Sequence, residues 1–290
     1  MKNINLRNTK IEFIRRQASG MLLIAVIFLL LSSCMPGKRT ARTFIEKKDQ
    51  VAVMIVPPTY TFLYYYPYSY TFDSEMPSEG EDIENSHFLK EIDVERATGI
   101  FTDALLENLR KYDINVFLPE QFDQFLSHDG QRYIFTVAQT EMVESDRQHT
   151  DRALIDTILY RQDFMLRTVE RNTWFEFTEV DKQEDEAGIK VLYSTFFTTD
   201  NVDGRFRYRG LTGEVLYEYS SYLISKEDIY SLNHFAGTRN ARYIFDFLLN
   251  RYIEQNARPF LSQPVNFRYI PSQDKLTRSR DDQQFIIMQP

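Results

Sequence analysis

The chain has 290 residues, 43% of them hydrophobic and 14% aromatic, with 23 Phe and 18 Tyr. A composition so rich in large apolar side chains can bury a sizeable core, which excludes a wholly disordered chain. Its formal charge is −8, and a field of that sign repels polyanions, so nucleic acid is set aside as a partner.

The N-terminal segment carries Lys2, Arg7, Lys10, Arg15 and Arg16 ahead of an unbroken apolar run, Met21–Leu31. That run is shorter than the roughly 20 apolar residues a helix needs to cross a bilayer. A basic leader, a short apolar core and small residues before a cleavage point make a secretory signal over residues 1–33. The segment ends in Leu31-Ser32-Ser33-Cys34, and Cys34 is the only cysteine of the chain. These four residues resemble the lipobox of bacterial lipoproteins. The resemblance implies a diacylglyceryl group on the Cys34 sulfur, cleavage before Cys34 and acylation of the new amine. Each buried acyl methylene contributes about 0.8 kcal/mol, so two or three chains hold firmly where one binds marginally. Loss of residues 1–33 removes five basic side chains and one acidic, Glu12, leaving 29 basic against 41 acidic and a charge of −12. With Cys34 consumed by lipid, no disulfide forms within the mature chain. Met35-Pro36-Gly37-Lys38 has no acidic residue; within the lipoprotein family this favours the periplasmic side of an outer membrane.

Residues 34–50 read as a lipid-tethered linker, its Lys38–Gln50 portion a flexible polar spacer. One α+β domain is expected over 51–258. Val51–Val56 is a continuous apolar run, suited to a strand buried on both faces and ended by Pro57-Pro58. An aromatic-rich insertion occupies 59–87. Within it every even position from 60 to 72 is aromatic: Tyr60, Phe62, Tyr64, Tyr66, Tyr68, Tyr70 and Phe72. Period two puts these rings on one face of an extended chain, and Pro67 confines it to a sheet edge or to two short pieces. Two readings stay open: a stripe packed on the domain's own core, or a docking surface formed by Tyr64, Tyr66, Tyr68 and Tyr70. Tyrosine suits the second, because its ring is apolar and its hydroxyl wants a polar partner. The acidic segment 73–86 follows as a solvated loop.

Apolar residues from Val94 to Tyr112 recur at helical spacing. A short strand follows at Ile114–Leu118, a small helix opened by Pro119 with Phe122, Phe125 and Leu126, and a strand over Tyr133–Val143. Arg152–Leu166 fits either a helix or the start of a strand. Val169–Val180 and Gly188–Thr199 read as strands joined by the acidic hairpin tip 181–187, whose Glu184-Asp185-Glu186 reads as solvated charge. Asp203-Gly204 and Gly210–Gly213 read as turns of an antiparallel meander ending at Glu214–Ile224. A helical turn over Asp228–Phe235 precedes a helix capped by Thr238, with a stripe of Ala241, Ile244, Phe245, Leu248, Leu249, Tyr252 and Ile253. Residues 259–290 read as an extended tail.

The whole reads as an α+β fold: a mixed sheet with a strand-helix-strand-helix-strand start, an antiparallel meander and a C-terminal amphipathic helix. The segments VAVMIVPP, ATGIFTDALLENLRKYDINVFLPEQFDQFL and RYIFTVAQ, in this order, resemble the α/β domain of the curli-secretion lipoprotein, the penicillin-binding-protein activator lipoproteins and the amino-terminal domain of the Tol translocation protein. The resemblance spans roughly Val51 to Asn256 and implies a tethered periplasmic adaptor that acts by touching other envelope proteins. This chain departs from those families by inserting the tyrosine-rich stretch and acidic loop between first strand and first helix.

No glycine-rich phosphate loop, G-x-S-x-G elbow, H-E-x-x-H or paired-cysteine metal site is present in the sequence. The four histidines, His87, His128, His149 and His234, show no ligand spacing. Neither a cofactor nor a metal is expected, and no catalytic residue is assigned. The expectation is a non-catalytic binding or assembly module of the envelope, anchored through Cys34, with a protein partner. One rival is a carbohydrate-binding or hydrolytic envelope enzyme that uses the aromatic stripe for sugar stacking. The other is an oligomeric subunit of a secretion or surface-fibre assembly.

Overall fold

The computed structural model describes residues 36–67, 83–180, 189–257, 266–280 and 284–288. The chain is an α+β protein that divides into two compact units: Lys47–Leu248 with Ser279–Pro290, and Met1–Glu46 with Leu249–Arg278. This division differs from the single domain expected over 51–258.

The first unit is built on a seven-stranded mixed sheet. Strand β1 (Val51–Val56) lies between β3 (Asn115–Phe117) and β4 (Gln131–Ile155), parallel to both. Its residues Val51–Ile55 are all buried, as an all-apolar central strand requires. Strand β5 (Ile158–Glu179) runs antiparallel to β4 and to β6 (Lys190–Thr199), and β11 (Ile286–Met288) closes that edge. Strand β2 (Phe62–Tyr66) pairs parallel with β4 further along, at Glu141–Ser145.

A register shift between Val137 and Gln139 marks a bulge in β4. Before it Tyr133, Phe135 and Val137 point inward; after it Thr140, Met142 and Glu144 do. The one extra residue changes the parity of the strand and keeps the same face of the sheet buried along its length.

That face is covered by two helices, α2 (Val94–Arg110) and α4 (Lys226–Ala257). Asp93 caps α2 by accepting the Arg96 N–H at 3.0 Å. From α2 come Ala97, Phe101, Leu105 and Leu109, and from α4 Ile229, Leu232, Ile244, Phe245 and Leu248, all buried. Tyr112 stacks on Phe245 at 4.3 Å, and Phe135 and Phe177 close on Phe247. The short helix α3 (Phe122–Leu126) covers the other face near β1, where Phe125 packs with Ala52 and Met54.

Helix α4 begins well before the expected cap. Ser225 starts it, with the Asp228 carboxylate accepting the Ser225 N–H at 2.8 Å, a capping-box arrangement. Thr238 lies mid-helix, where its Oγ1 accepts from Asn108 Nδ2 at 3.1 Å. The helix continues through Gly237 because α2 comes so close there: a Cβ would sit 2.3 Å from the Phe101 carbonyl oxygen.

Beyond the sheet, β4 and β5 continue to a two-residue turn at Asp156-Thr157. Both turn residues have positive φ, 47° and 71°, which matches the twist of the flanking strands. The ambiguous stretch 152–166 is therefore the end of a hairpin. A second hairpin, β7 (Asn201–Arg209) and β8 (Glu214–Tyr222), forms a two-stranded sheet turned at Gly213, φ 74°. Asp203-Gly204 is not a turn. It lies within β7, and a Cβ on Gly204 would meet the Tyr217 hydroxyl at 2.1 Å.

In the second unit, α1 (Pro36–Glu46) buries Gly37, Ala41, Phe44 and Ile45. Residues 38–46 are thus helical where a flexible spacer was expected, because the apolar pair Phe44-Ile45 has a surface to bury against. Phe44 meets Tyr252 at 5.3 Å, and Arg42 pairs with Asp274 at 2.8 Å. Strands β9 (Phe267–Ile270) and β10 (Lys275–Arg278) form a hairpin here, and Asn250 both donates to and accepts from Phe267. The residues read as an extended tail thus supply β9 and β10, and β11 at the edge of the large sheet.

Candidate functional site

Two surfaces of the first unit stand out. One is the sheet face opposite α2 and α4. Strand β2 turns Thr61, Leu63 and Tyr65 inward and its even-numbered rings outward. Thr61 fixes this choice: fully buried, its Oγ1 lies 2.8 Å from Thr98 Oγ1, 2.9 Å from Thr140 Oγ1 and 3.1 Å from Arg171 Nη1. Tyr60 and Phe62 are 56% and 46% exposed and meet edge to face at 5.3 Å. Tyr64 and Tyr66 are half-buried and stacked at 6.3 Å. Partial burial raises the Tyr66 pKa, and neighbouring Tyr64 and Glu141 add to the shift. The expected even-position face is therefore the outward one as far as Tyr66; Tyr68 and Tyr70 lie outside the described residues, as do Cys34 and Glu184-Asp185-Glu186. Further across the same face, Trp174 packs on Tyr193 at 4.9 Å, and the Tyr193 hydroxyl donates to Asn172 Oδ1 at 2.9 Å. Burial raises the Tyr193 pKa as well. The sequence does not single out Trp174 and Tyr193; each takes the outward face by alternation with its buried neighbours Phe175 and Leu192, and the pairing of β4, shifted at its bulge, sets them on the face that carries the β2 rings.

The second surface is the pair of hairpins. The β7–β8 ribbon carries Val202, Phe206, Tyr208, Val215, Tyr217 and Tyr219 on one face and Asp203, Arg205, Arg207, Arg209, Glu214 and Glu218 on the other. In the distal β4–β5 ribbon, Ala153, Ile155, Ile158, Tyr160, Phe164 and Leu166 share a face with His149 and Asp151. The two apolar faces meet. Phe164 lies 5.6 Å from Tyr217 and 5.2 Å from Tyr219, and Tyr160 lies 6.0 Å from Phe206. The Tyr217 hydroxyl donates to Asp151 Oδ2, while His149 Nε2 sits 3.2 Å from Asp151 Oδ1. Desolvation and the Asp151 carboxylate push the Tyr217 phenol up to about 12. At the tips Leu154, Ile158, Leu159 and Leu211 are exposed.

Asp200 joins both ribbons to the sheet. Its carboxylate accepts the N–H of Arg167 at 3.0 Å and of Ile224 at 2.9 Å, and it is 3% exposed. Glu144, fully buried, accepts three backbone N–H groups, from His87, Phe88 and Leu89.

The histidines do not converge. His128 Nδ1 accepts the Gly130 N–H, His87 lies 4.0 Å from Asp146, and His149 belongs to the hairpin contact. Among the described residues there is no group of three His, Cys, Asp or Glu placed to hold a metal, and no helix long and apolar enough to cross a membrane. The chain matches no protein-family model, and no curated protein matches it.

Proposed function

We propose that this chain is a lipid-anchored cell-envelope protein, held through Cys34, that works as a non-catalytic assembly module with its two hairpins as the assembling element. One observation carries the reading: two long ribbons project from the sheet and pack aromatic faces on each other. Among the described strands, the edge of β4 away from β5 is unpaired over residues 146–155, and β7 and β8 pair only with each other. A free strand edge is a template for another strand. Further copies of this chain, adding ribbon to ribbon, satisfy those edges and close into an array without ends. The lipobox resemblance supplies the tether, and the resemblance to the curli-secretion lipoprotein agrees with work at the envelope.

A second reading follows from the ribbons' length. Their limbs run 9 to 10 residues, as in Asn201–Arg209 and Glu214–Tyr222, and a tilted strand of about 9–11 residues crosses the hydrocarbon layer. On this reading the ribbons separate and the Phe206/Tyr217 face turns to lipid.

Fatty-acid labelling of wild type and Cys34→Ala tests the anchor: labelling of the wild type alone supports it, and equal labelling removes it. Sedimentation of the full chain in detergent and in lipid nanodiscs tests assembly. Multi-copy particles that are lost in Phe206→Ser/Tyr219→Ser support the hairpin reading; a monomer in both media overturns it. Protection of the ribbons from protease only in liposomes separates membrane insertion from surface assembly.

A further inference from the structure

We propose that the open face of the large sheet is a second binding surface, independent of the hairpins, and that its ligand is an uncharged glycan chain. The rings on this face form two platforms. Tyr64 and Tyr66 stack at the β2 edge, with 18° between their planes, and Trp174 with Tyr193 forms the other across β5 and β6. Strand register puts Phe62, Glu141, Asn172 and Thr195 in one row between them. With strands about 4.8 Å apart and about 3.3 Å per residue, the platforms, separated by two to three strands and four to six residues, lie roughly 16–25 Å apart.

The chemistry selects the ligand. A pyranose offers apolar C–H faces and a rim of hydroxyls, so it needs flat rings beneath and carboxylate, amide or hydroxyl groups beside them. The platforms supply the first and Glu141 and Thr195 the second, while the buried Asn172 holds the Tyr193 hydroxyl in place. A peptide added as a strand needs free backbone, but in these rows β4 is paired with β2 and β5, and β5 with β4 and β6. Charge excludes an anionic polymer: the strip carries Glu141 and Glu170, and Arg147 beside them is ion-paired to Glu170. An apolar partner fits poorly too, since each ring adjoins a polar group.

Trp174 is the only tryptophan of the chain, so intrinsic fluorescence reports on this face directly. The full chain in detergent is titrated with cellohexaose, with the hexamer of N-acetylglucosamine and with an oligogalacturonate. Saturable change with either neutral hexamer and none with the acidic one is expected. Tyr193→Ala and Tyr64→Ala/Tyr66→Ala should each weaken binding at least tenfold with unchanged circular dichroism, and Phe206→Ser/Tyr219→Ser in the hairpins should leave it unchanged. No saturable signal at millimolar sugar, or equal binding by all variants, overturns the proposal. It also falls if the fluorescence instead follows protein concentration and Tyr193→Ala abolishes a dimer, since the face is then a contact between copies.

Discussion

Asp200 accepts the backbone N–H of Ile224 at 2.9 Å, and through its other oxygen that of Arg167 at 3.0 Å. One buried carboxylate therefore ties the end of β8 to the point where the β4–β5 ribbon leaves the sheet. Asp200→Ala leaves two backbone donors without that acceptor, which costs roughly 1–3 kcal/mol per buried group. The loss should concentrate at the ribbon roots. Hydrogen exchange should speed up across 201–222 while β1 and α2 keep their protection; uniform loss across the sheet would show that Asp200 supports the whole core instead.

The contact between ribbons carries its own pH signature. The Tyr217 pKa is raised to about 12, from an ordinary value near 10, so the folded state favours the protonated phenol. Its contribution is whole below about pH 10 and is lost as pH rises through about 12. In ultraviolet titration, Tyr217→Phe should remove one transition near pH 12. Gly204→Ala adds a Cβ 2.1 Å from the Tyr217 hydroxyl, which displaces the phenol from Asp151 and should move that transition towards 10. A transition still near 12 in Gly204→Ala would mean that the ribbon accommodates the methyl group.

The α+β architecture was legible because its core elements are long and periodic: Val51–Val56 as a buried strand, the α2 face, and the stripe from Ala241 to Ile253. Sequence placed a turn at Asp203-Gly204 because that pair usually makes one. Here Gly204 supplies room for a cross-strand tyrosine, a fact visible only when β8 is set beside β7. Thr238 was read as a cap because nothing local tells a capping threonine from a helical one; its partner Asn108 is 130 residues away. Strands β9 to β11, of three or four residues, are too short for a period to register. The outward placement of Tyr64 and Tyr66 was legible from alternation alone. That of Trp174 and Tyr193 beside them was not, because the bulge at 137–139 decides which rows share the open face.

Glu144 gives a prediction about the end of the aromatic insertion. Its carboxylate, fully buried, accepts the N–H groups of His87, Phe88 and Leu89 at 2.7, 3.0 and 3.0 Å. Hydrogen bonds to a charged acceptor contribute more than neutral ones, and three donors lose their partner together. Glu144→Ala should lower stability by about 3 kcal/mol or more in urea unfolding, and Glu144→Gln by less, since an amide oxygen still accepts. A change within about 0.5 kcal/mol, as at an ordinary surface site, would mean that the segment repacks without it.

Arg171 gives the last prediction, and its sign is unusual for a core residue. The side chain is fully buried, Nη1 donates to Thr61, and the guanidinium lies 4.7 Å from the Phe101 ring. Nε and Nη2 have no hydrogen-bond partner among the described residues. Desolvation lowers its pKa to about 9, so the fold disfavours the charge it encloses. Methionine fills a similar volume without the charge, and Thr61 keeps Thr98 and Thr140 as partners. Replacing buried charge by well-packed apolar groups is often neutral or stabilising by about 1–4 kcal/mol. Arg171→Met should therefore match or exceed wild type in urea unfolding, whereas Arg171→Ala should fall below it through the cavity it leaves. If Met destabilises as much as Ala, then charge rather than volume is what the site requires, and groups outside the described residues, or bound solvent, complete it.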